Sequence, residues 1–390
     1  MKSVLSGIFV AFSMYSAIPV PQVNWEKKTM RWALIFLPLV GVIISAVSWI
    51  WFVFCSFFRA NSLFYAVGAT LIPLCISGGI HLDGSAKNSG FGKILFASTD
   101  MEKVISNASV ILVVLPSIYH NSIAQKIAPL LKDGQIVILN PITPLGTIDF
   151  QNTLTQSGCT ADIVLAGTNT LLFACRAVQP GHVHVSGQKK DILISAYPSR
   201  KNSVVLAAIQ RYLPEYRMAP DILTVSLDNL NFEFHPGPTL LYTAMIENGI
   251  DFEYYSDFTP SQARLIEVID QERLALCRAY GVKVRDVAQT FHDEYGYEGT
   301  LYEMIKHADV YKGIKGPSAL NSRFLTEDIP YSLRAIQTLA QIANIPTPAI
   351  DTVVNLAYIL LGDDLDEGRT LSQLGFNSST TVSDLLELCR

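Results

Sequence analysis

The chain predicts a partial doubly wound α/β sheet followed by an all-α region and preceded by two membrane-spanning helices. Three observations carry this. Two long runs before residue 81 contain no charge, continuous apolar strands alternate with helices between residues 94 and 141, and helical spacing prevails from residue 214 onward. The character changes near residue 85, so the two sides are read separately.

The 390 residues suffice for more than one domain. Hydrophobic residues make up 49% of the chain and mean hydropathy is +0.30, with the excess at the front. Trp32 to Phe58 and Ala60 to Ile80 hold no Asp, Glu, Lys or Arg. A run of about 20 apolar residues crosses a bilayer as a helix, and Pro73 only kinks the second run. Buried soluble helices are the alternative, but these normally keep a polar face. Ser3 to Pro21 begins after Lys2 but offers no small-residue cleavage site, so it reads as an interfacial or re-entrant helix. Lys27, Lys28 and Arg31 precede the first run, and only Arg59 separates the two. The positive-inside rule puts residues 22–31 in the cytoplasm, and two crossings return the chain there. Membrane lipid is therefore an expected partner, with the domains beyond residue 85 facing the cytoplasm. The six cysteines form no C-x-x-C pair, which fits a reducing compartment and predicts no metal cluster. The net charge of −5, without a basic stripe, excludes a nucleic-acid partner.

Beyond the break, Ile94–Ala97 reads as a short strand and Asp100–Ser106 as a helix capped near Thr99 or Asp100. Ala108–Pro116 and Gln135–Pro141 are continuous apolar runs, as in parallel strands buried on both faces. A helix from Tyr119 to Leu131, stopped at Asp133-Gly134, joins them. Ligands of such sheets sit at the carboxyl ends of strands, which makes Pro116, Ser117 and Asn140 candidate cofactor contacts. A complete dinucleotide fold also needs a strand, G-x-G-x-x-G and a helix. None is present: Gly78-Gly79 closes an apolar run, and Gly90-Phe91-Gly92 precedes a strand instead of following one. Later helices are expected over 260–280, 285–295, 329–342 and 349–361. The domains divide as 1–84, 92–213 and 214–390.

Two resemblances give these pieces a chemistry. Phe12-Ser13-Met14-Tyr15-Ser16-Ala17-Ile18-Pro19-Val20-Pro21, Phe36-Leu37-Pro38-Leu39-Val40-Gly41 and Gly78-Gly79-Ile80-His81-Leu82-Asp83-Gly84 resemble, in order, the opening of cobalamin (5'-phosphate) synthases, the adenosylcobinamide-GDP ribazoletransferases. Members of that family carry further aspartates soon after this last motif. Here Asp83 is followed by Ser85-Ala86-Lys87-Asn88-Ser89-Gly90, so the acidic cluster that would hold Mg²⁺ is missing. From residue 92 to the end the chain resembles the NAD(P)-dependent octopine/nopaline (opine) dehydrogenases. The resemblance rests on Leu139-Asn140-Pro141, Leu172-Phe173-Ala174-Cys175-Arg176, Asn229-Leu230-Asn231-Phe232-Glu233-Phe234-His235-Pro236-Gly237-Pro238 and Ser322-Arg323-Phe324-Leu325-Thr326-Glu327-Asp328-Ile329-Pro330.

This second resemblance implies a Rossmann-like sheet lacking its first βαβ unit, then a helical domain like the C-terminal domain of 6-phosphogluconate dehydrogenase. It implies a reductive condensation of an amino acid with a 2-oxo acid, using NAD or NADP. His235 matches the family's catalytic histidine, Asp328 its carboxylate partner and Arg323 its substrate-binding arginine. Histidine suits proton exchange near neutral pH, a carboxylate fixes its tautomer, and a guanidinium grips a substrate carboxylate. Without the resemblance, His235 and Asp328 read equally as helix caps and Arg323 as a surface residue. His182 and His184 alternate in a strand-like run and share one face, with no further metal ligand near them in sequence. The missing glycine turn predicts weak NAD(P)H binding. The competing readings are a membrane transferase of cobalamin assembly and a fusion without activity.

Overall fold

The computed structural model describes residues 8–9, 42–43, 45–58, 79–84, 89–179 and 181–390. The chain divides into two compact units, residues 1–104 with 173–188, and residues 105–172 with 189–390.

In the first unit, residues 45–57 are helical. The remainder of the first expected span and residues 60–78 of the second lie outside the described residues. Among the described residues no helix is long and apolar enough to cross a membrane. The end of the second span is not helical: Gly79 and Ile80 open strand β1 (Gly79–Gly84). Its residues alternate, Ile80 and Leu82 against His81 and Asp83, and that period of two selects a strand. β1 runs antiparallel to β2 (Gly90–Lys93) and parallel to β7 (His182–Gln188), which pairs in turn with β6 (Phe173–Gln179). The strand expected at Ile94–Ala97 does not form; the pairing with β1 falls on Gly90–Lys93 instead. Across β1 and β7, His81 lies opposite His182 and Asp83 opposite His184. The Asp83 carboxylate accepts from His182 Nε2 and His184 Nδ1, each at 2.7 Å. These bonds, His184 first, hold the Asp83 carboxyl below its ordinary range. The two histidines do share a face, and their partner is a carboxylate nearly 100 residues away in sequence. No group of three ligands able to hold a metal ion occurs among the described residues.

The second unit is built on a five-stranded sheet. Its order is β3 (Val110–Val113), β4 (Ile136–Leu139), β5 (Val164–Thr168), β8 (Ile192–Tyr197) and β9 (Tyr216–Met218). The first three are parallel, β8 turns antiparallel to β5, and β9 runs parallel to β8. The sheet thus continues past Leu213 before the helices take over. β4 is buried along its whole length. β3 has β4 on one side and no strand on the other among the described residues. Leu112 is 46% exposed, and Val114 just beyond the strand is 54% exposed. An uncharged run of this kind normally belongs to a strand with neighbours on both sides, and the outer edge of β3 has none among the described residues.

The longest helix among the described residues, Pro260–Ala279, starts with a capping box between Thr259 and Gln262 and has proline in its first turn. Gly237 lets the Pro236–Leu241 helix approach it closely. A Cβ there would fall 2.8 Å from Leu265 Cδ2. One apolar core joins sheet and helices through Leu139, Phe150, Leu165, Leu223, Ile269, Leu339 and Val353. A second, aromatic core gathers Phe234, Tyr242, Phe252, Tyr254, Phe258 and Phe291.

Candidate active site

His235 stands at the junction of two short helices, Asn231–Phe234 and Pro236–Leu241. Proline at the first position of the second helix needs no amide partner and has its φ preset for helix. The side chain of His235 caps neither helix. Its Nδ1 meets Asp328 Oδ2 at 2.7 Å, across 93 residues of sequence. Asp328 precedes the π-helical turn Ile329–Leu333 and likewise makes no capping bond; its other oxygen accepts from Ser332 Oγ at 3.3 Å. His235 is 9% exposed and Asp328 4%, so water screens the pair poorly. With Nδ1 committed to Asp328, Nε2 is the ring nitrogen left outside that pair.

Two contacts fix the ring and its backbone. Phe324 stacks on His235 with centroids 4.2 Å apart and planes 13° from parallel. The fully buried Tyr254 hydroxyl bonds the carbonyls of Phe234 and His235 at 3.0 and 2.9 Å, and meets Thr239 Oγ1 at 2.9 Å. Arg323 sits over the edge of this stack, with Cζ 5.8 Å from the Phe324 centroid. Its side chain is 63% exposed, and Nη1 lies 3.6 Å from Glu327 Oε2. The guanidinium is thus tethered near the dyad yet open to a ligand.

Glu327 escaped the sequence reading because a carboxylate beside Asp328 carries no signal of its own partner. Its Oε1 accepts the Ser117 backbone N–H at 2.8 Å, tying the helical region to the loop after β3. Burial, then the neighbouring Asp328, pushes the Glu327 carboxyl above its ordinary range. Of the candidate cofactor contacts, Ser117 is buried with its hydroxyl 3.0 Å from Thr143 Oγ1. Asn140 donates to the Tyr216 hydroxyl at 3.2 Å and accepts from Thr168 Oγ1 at 2.8 Å. Pro116 precedes the short Ser117–Tyr119 turn. Behind them Arg369, 2% exposed, pairs with Asp149 at 2.8 Å and donates to Thr143 Oγ1. Neither Arg369 nor Tyr254 was foreseeable from spacing, since each acts across long sequence separations.

A family described as NAD/NADP octopine/nopaline dehydrogenase, alpha-helical domain, matches residues 218–361, and one described as cobalamin-5-phosphate synthase matches residues 7–88. An opine dehydrogenase of Arthrobacter sp. (strain 1C) is 37% identical over 288 residues, covering 73% of this chain and 80% of that protein. An adenosylcobinamide-GDP ribazoletransferase of Lachnoclostridium phytofermentans is 42% identical over 80 residues, 20% of this chain but only 31% of the relative. Among solved structures, octopine dehydrogenase with NADH and L-arginine superposes with a TM-score of 0.65 at 20% identity, covering 79% of this chain and 85% of that one. The latter likeness gives the fold; the Arthrobacter relative gives the family. Residues 7–88 are similar to a cobalamin-5-phosphate synthase; the chain belongs to the opine dehydrogenases, oxidoreductases acting on CH–NH bonds with NAD(P).

Proposed function

We propose that the buried His235–Asp328 pair, with Arg323 beside it, is an opine dehydrogenase site that binds a 2-oxo acid and an amino acid and moves the proton of their condensation. The observation that carries this reading is the 2.7 Å contact between two buried side chains from separate motifs. Arg323 takes a substrate carboxylate as a bidentate guanidinium partner. His235 Nε2 exchanges the proton as the amine adds to the carbonyl and water leaves, while Asp328 holds the tautomer and stabilises the imidazolium. Phe324 and Tyr254 keep the imidazole in place through these steps.

The reaction's hydride belongs to the nicotinamide, which solved relatives carry as NADH or NADP⁺. The residues present do not fit that cofactor's pyrophosphate. No G-x-G-x-x-G occurs in the chain. The outer edge of β3, beside which such a turn would lie, has no strand among the described residues, and β1 pairs in a different sheet. The Ser117 amide is already spent on Glu327. Pro116, Ser117 and Asn140 are thus left as the floor of a cofactor crevice whose phosphate cradle is missing.

Residues 1–84 read as a membrane-associated segment, on the strength of the charge-free runs and the match to cobalamin-5-phosphate synthase. Recovery of the full chain in a detergent-free soluble fraction contradicts that placement. A transferase reading has less support: Asp83 is engaged by two histidines, and the chain spans about a third of that relative.

Pyruvate, which a solved octopine dehydrogenase holds, is the probe for the site. Calorimetric titration of the full chain is expected to show binding that Arg323→Met weakens tenfold or more, since a charge-assisted contact contributes roughly 1.5–3 kcal/mol. Equal affinity in both proteins, or no binding by the wild type at millimolar pyruvate, overturns the assignment.

A further inference from the structure

We infer that Arg273, with Glu233 and Asp270, is a positioning device for His235; the inference rests on the reading of His235 as the proton carrier. All three side chains are closed to solvent, Arg273 and Glu233 completely. Arg273 lies on the Pro260–Ala279 helix, outside every motif that names the site. Its Nε donates to Asp270 Oδ1 at 3.0 Å and lies 2.7 Å from Glu233 Oε1. Its Nη1 donates to the Leu227 carbonyl at 2.8 Å, and its Nη2 to the Arg285 carbonyl at 2.7 Å. Asp270 turns its second oxygen to the Val287 amide at 3.0 Å.

The placement of these bonds is what points to His235. Leu227 ends the Ile222–Leu227 helix, and Glu233 is two residues before His235. One planar guanidinium therefore bonds the start of the segment, residues 228–234, that delivers the imidazole to Asp328, and lies 2.7 Å from a Glu233 oxygen near its end. A buried ion pair rarely stabilises a protein more than apolar residues of the same volume. Stability alone therefore gives little reason for three ionisable groups in a dry core. Directional donors do what apolar packing cannot: they set the segment's rotation and its distance from the long helix. A site held to within about 0.5 Å needs such support.

The test uses the full chain with ¹⁵N-labelled histidine. The His235 Nδ1–H signal is identified by its loss in His235→Gln, and Asp328→Asn reports what it becomes when the dyad is broken. If Asp328→Asn leaves the wild-type signal and titration unchanged, the dyad reading itself fails, whatever the Arg273 variants do. Two variants then address Arg273. The triple variant Glu233→Leu, Asp270→Leu, Arg273→Met fills the same volume with apolar side chains. Arg273→Lys keeps the charge but not the planar fork. The expected result is a folded triple variant melting near the wild type, whose His235 signal moves toward that of Asp328→Asn and whose titration shifts by about half a pH unit or more. Arg273→Lys is expected to shift in the same direction by less. A folded triple variant with an unmoved His235 signal and titration overturns the inference. Should the triple variant fail to fold, an unmoved signal in Arg273→Lys overturns it and a displaced one supports it.

Discussion

Strands β3 and β4 are neighbours of nearly the same composition, Val-Ile-Leu-Val and Ile-Val-Ile-Leu, in very different surroundings. All of β4 is buried between two partners, while β3 exposes Leu112 and has one partner among the described residues. The same contrast holds on a larger scale. In the helical region, Tyr254, Phe324, Arg273 and Glu327 all support the His235–Asp328 pair or the segments around it. At the edge of the sheet, β3 has no second partner among the described residues, and the chain holds no G-x-G-x-x-G turn. The buried His235–Asp328 pair is held by contacts within the helical region, whereas the outer side of β3 has no comparable neighbour among the described residues.

The largest effect that sharpens this contrast is expected in the helical region. Arg273→Met alone strands Asp270 and Glu233 in a dry core and should cost about 3–5 kcal/mol in urea unfolding. A loss below about 1 kcal/mol would mean that the triad is not closed to water as described.

Two buried groups make the stability depend on pH in opposite directions. Burial pushes Glu233 up to about 8, with Arg273 pulling it back and Asp270 reinforcing the rise. A raised acid favours folding fully only below its unfolded value, so this contribution fades as pH climbs from about 4.5 toward 8, by on the order of a few kcal/mol. Glu233→Gln should flatten unfolding free energy across that window; an unchanged slope contradicts the assignment. His120 is the converse. It sits fully buried under Phe150, with Nε2 on the Leu115 carbonyl at 3.0 Å. Burial, then Arg369, lowers it to about 4. Its contribution is complete above about pH 6.5 and is lost as pH falls toward 4, by roughly 3 kcal/mol. Replacing His120 with Gln should remove that acid-side loss, and an identical acid profile counts against it.

The smallest effect is expected at the exposed edge. Leu112→Lys should change stability by less than about 0.5 kcal/mol while lowering light scattering of the concentrated protein, because charge on an open edge blocks strand-to-strand association. A large loss of stability there would show that the edge is covered.

Much of the fold is legible in the sequence alone, and the dyad through the family resemblance. The apolar runs around Val110–Val113 and Ile136–Leu139 name buried strands because no amphipathic period competes with them. The His-Pro and Glu-Asp-x-Pro elements bring together the dyad that the fold closes at 2.7 Å. What stays hidden depends on distant partners. Tyr254 belongs to no motif that names the site, and only its depth in the aromatic core turns it toward the His235 carbonyl. Gly79–Gly84 reads as the end of an apolar span because a period of two over so few residues is masked by the charge-free run before it. Arg273 looks like one more charge on an amphipathic helix, and its burial comes from carboxylates on neighbouring turns and segments.

We propose that this chain keeps the proton-handling site of an opine dehydrogenase without a seat for the hydride donor. Calorimetric titration of the full-length protein with NADH, and separately with NADPH, tests it most directly. Two lost charge-assisted hydrogen bonds to the pyrophosphate, at roughly 1.5–3 kcal/mol each, weaken binding by about a hundredfold or more. The account predicts no saturable heat at micromolar nucleotide, in a protein whose His235 Nδ1–H signal is intact. Stoichiometric binding of either nucleotide at micromolar concentration would show that another segment rebuilds the cradle, and would contradict the claim.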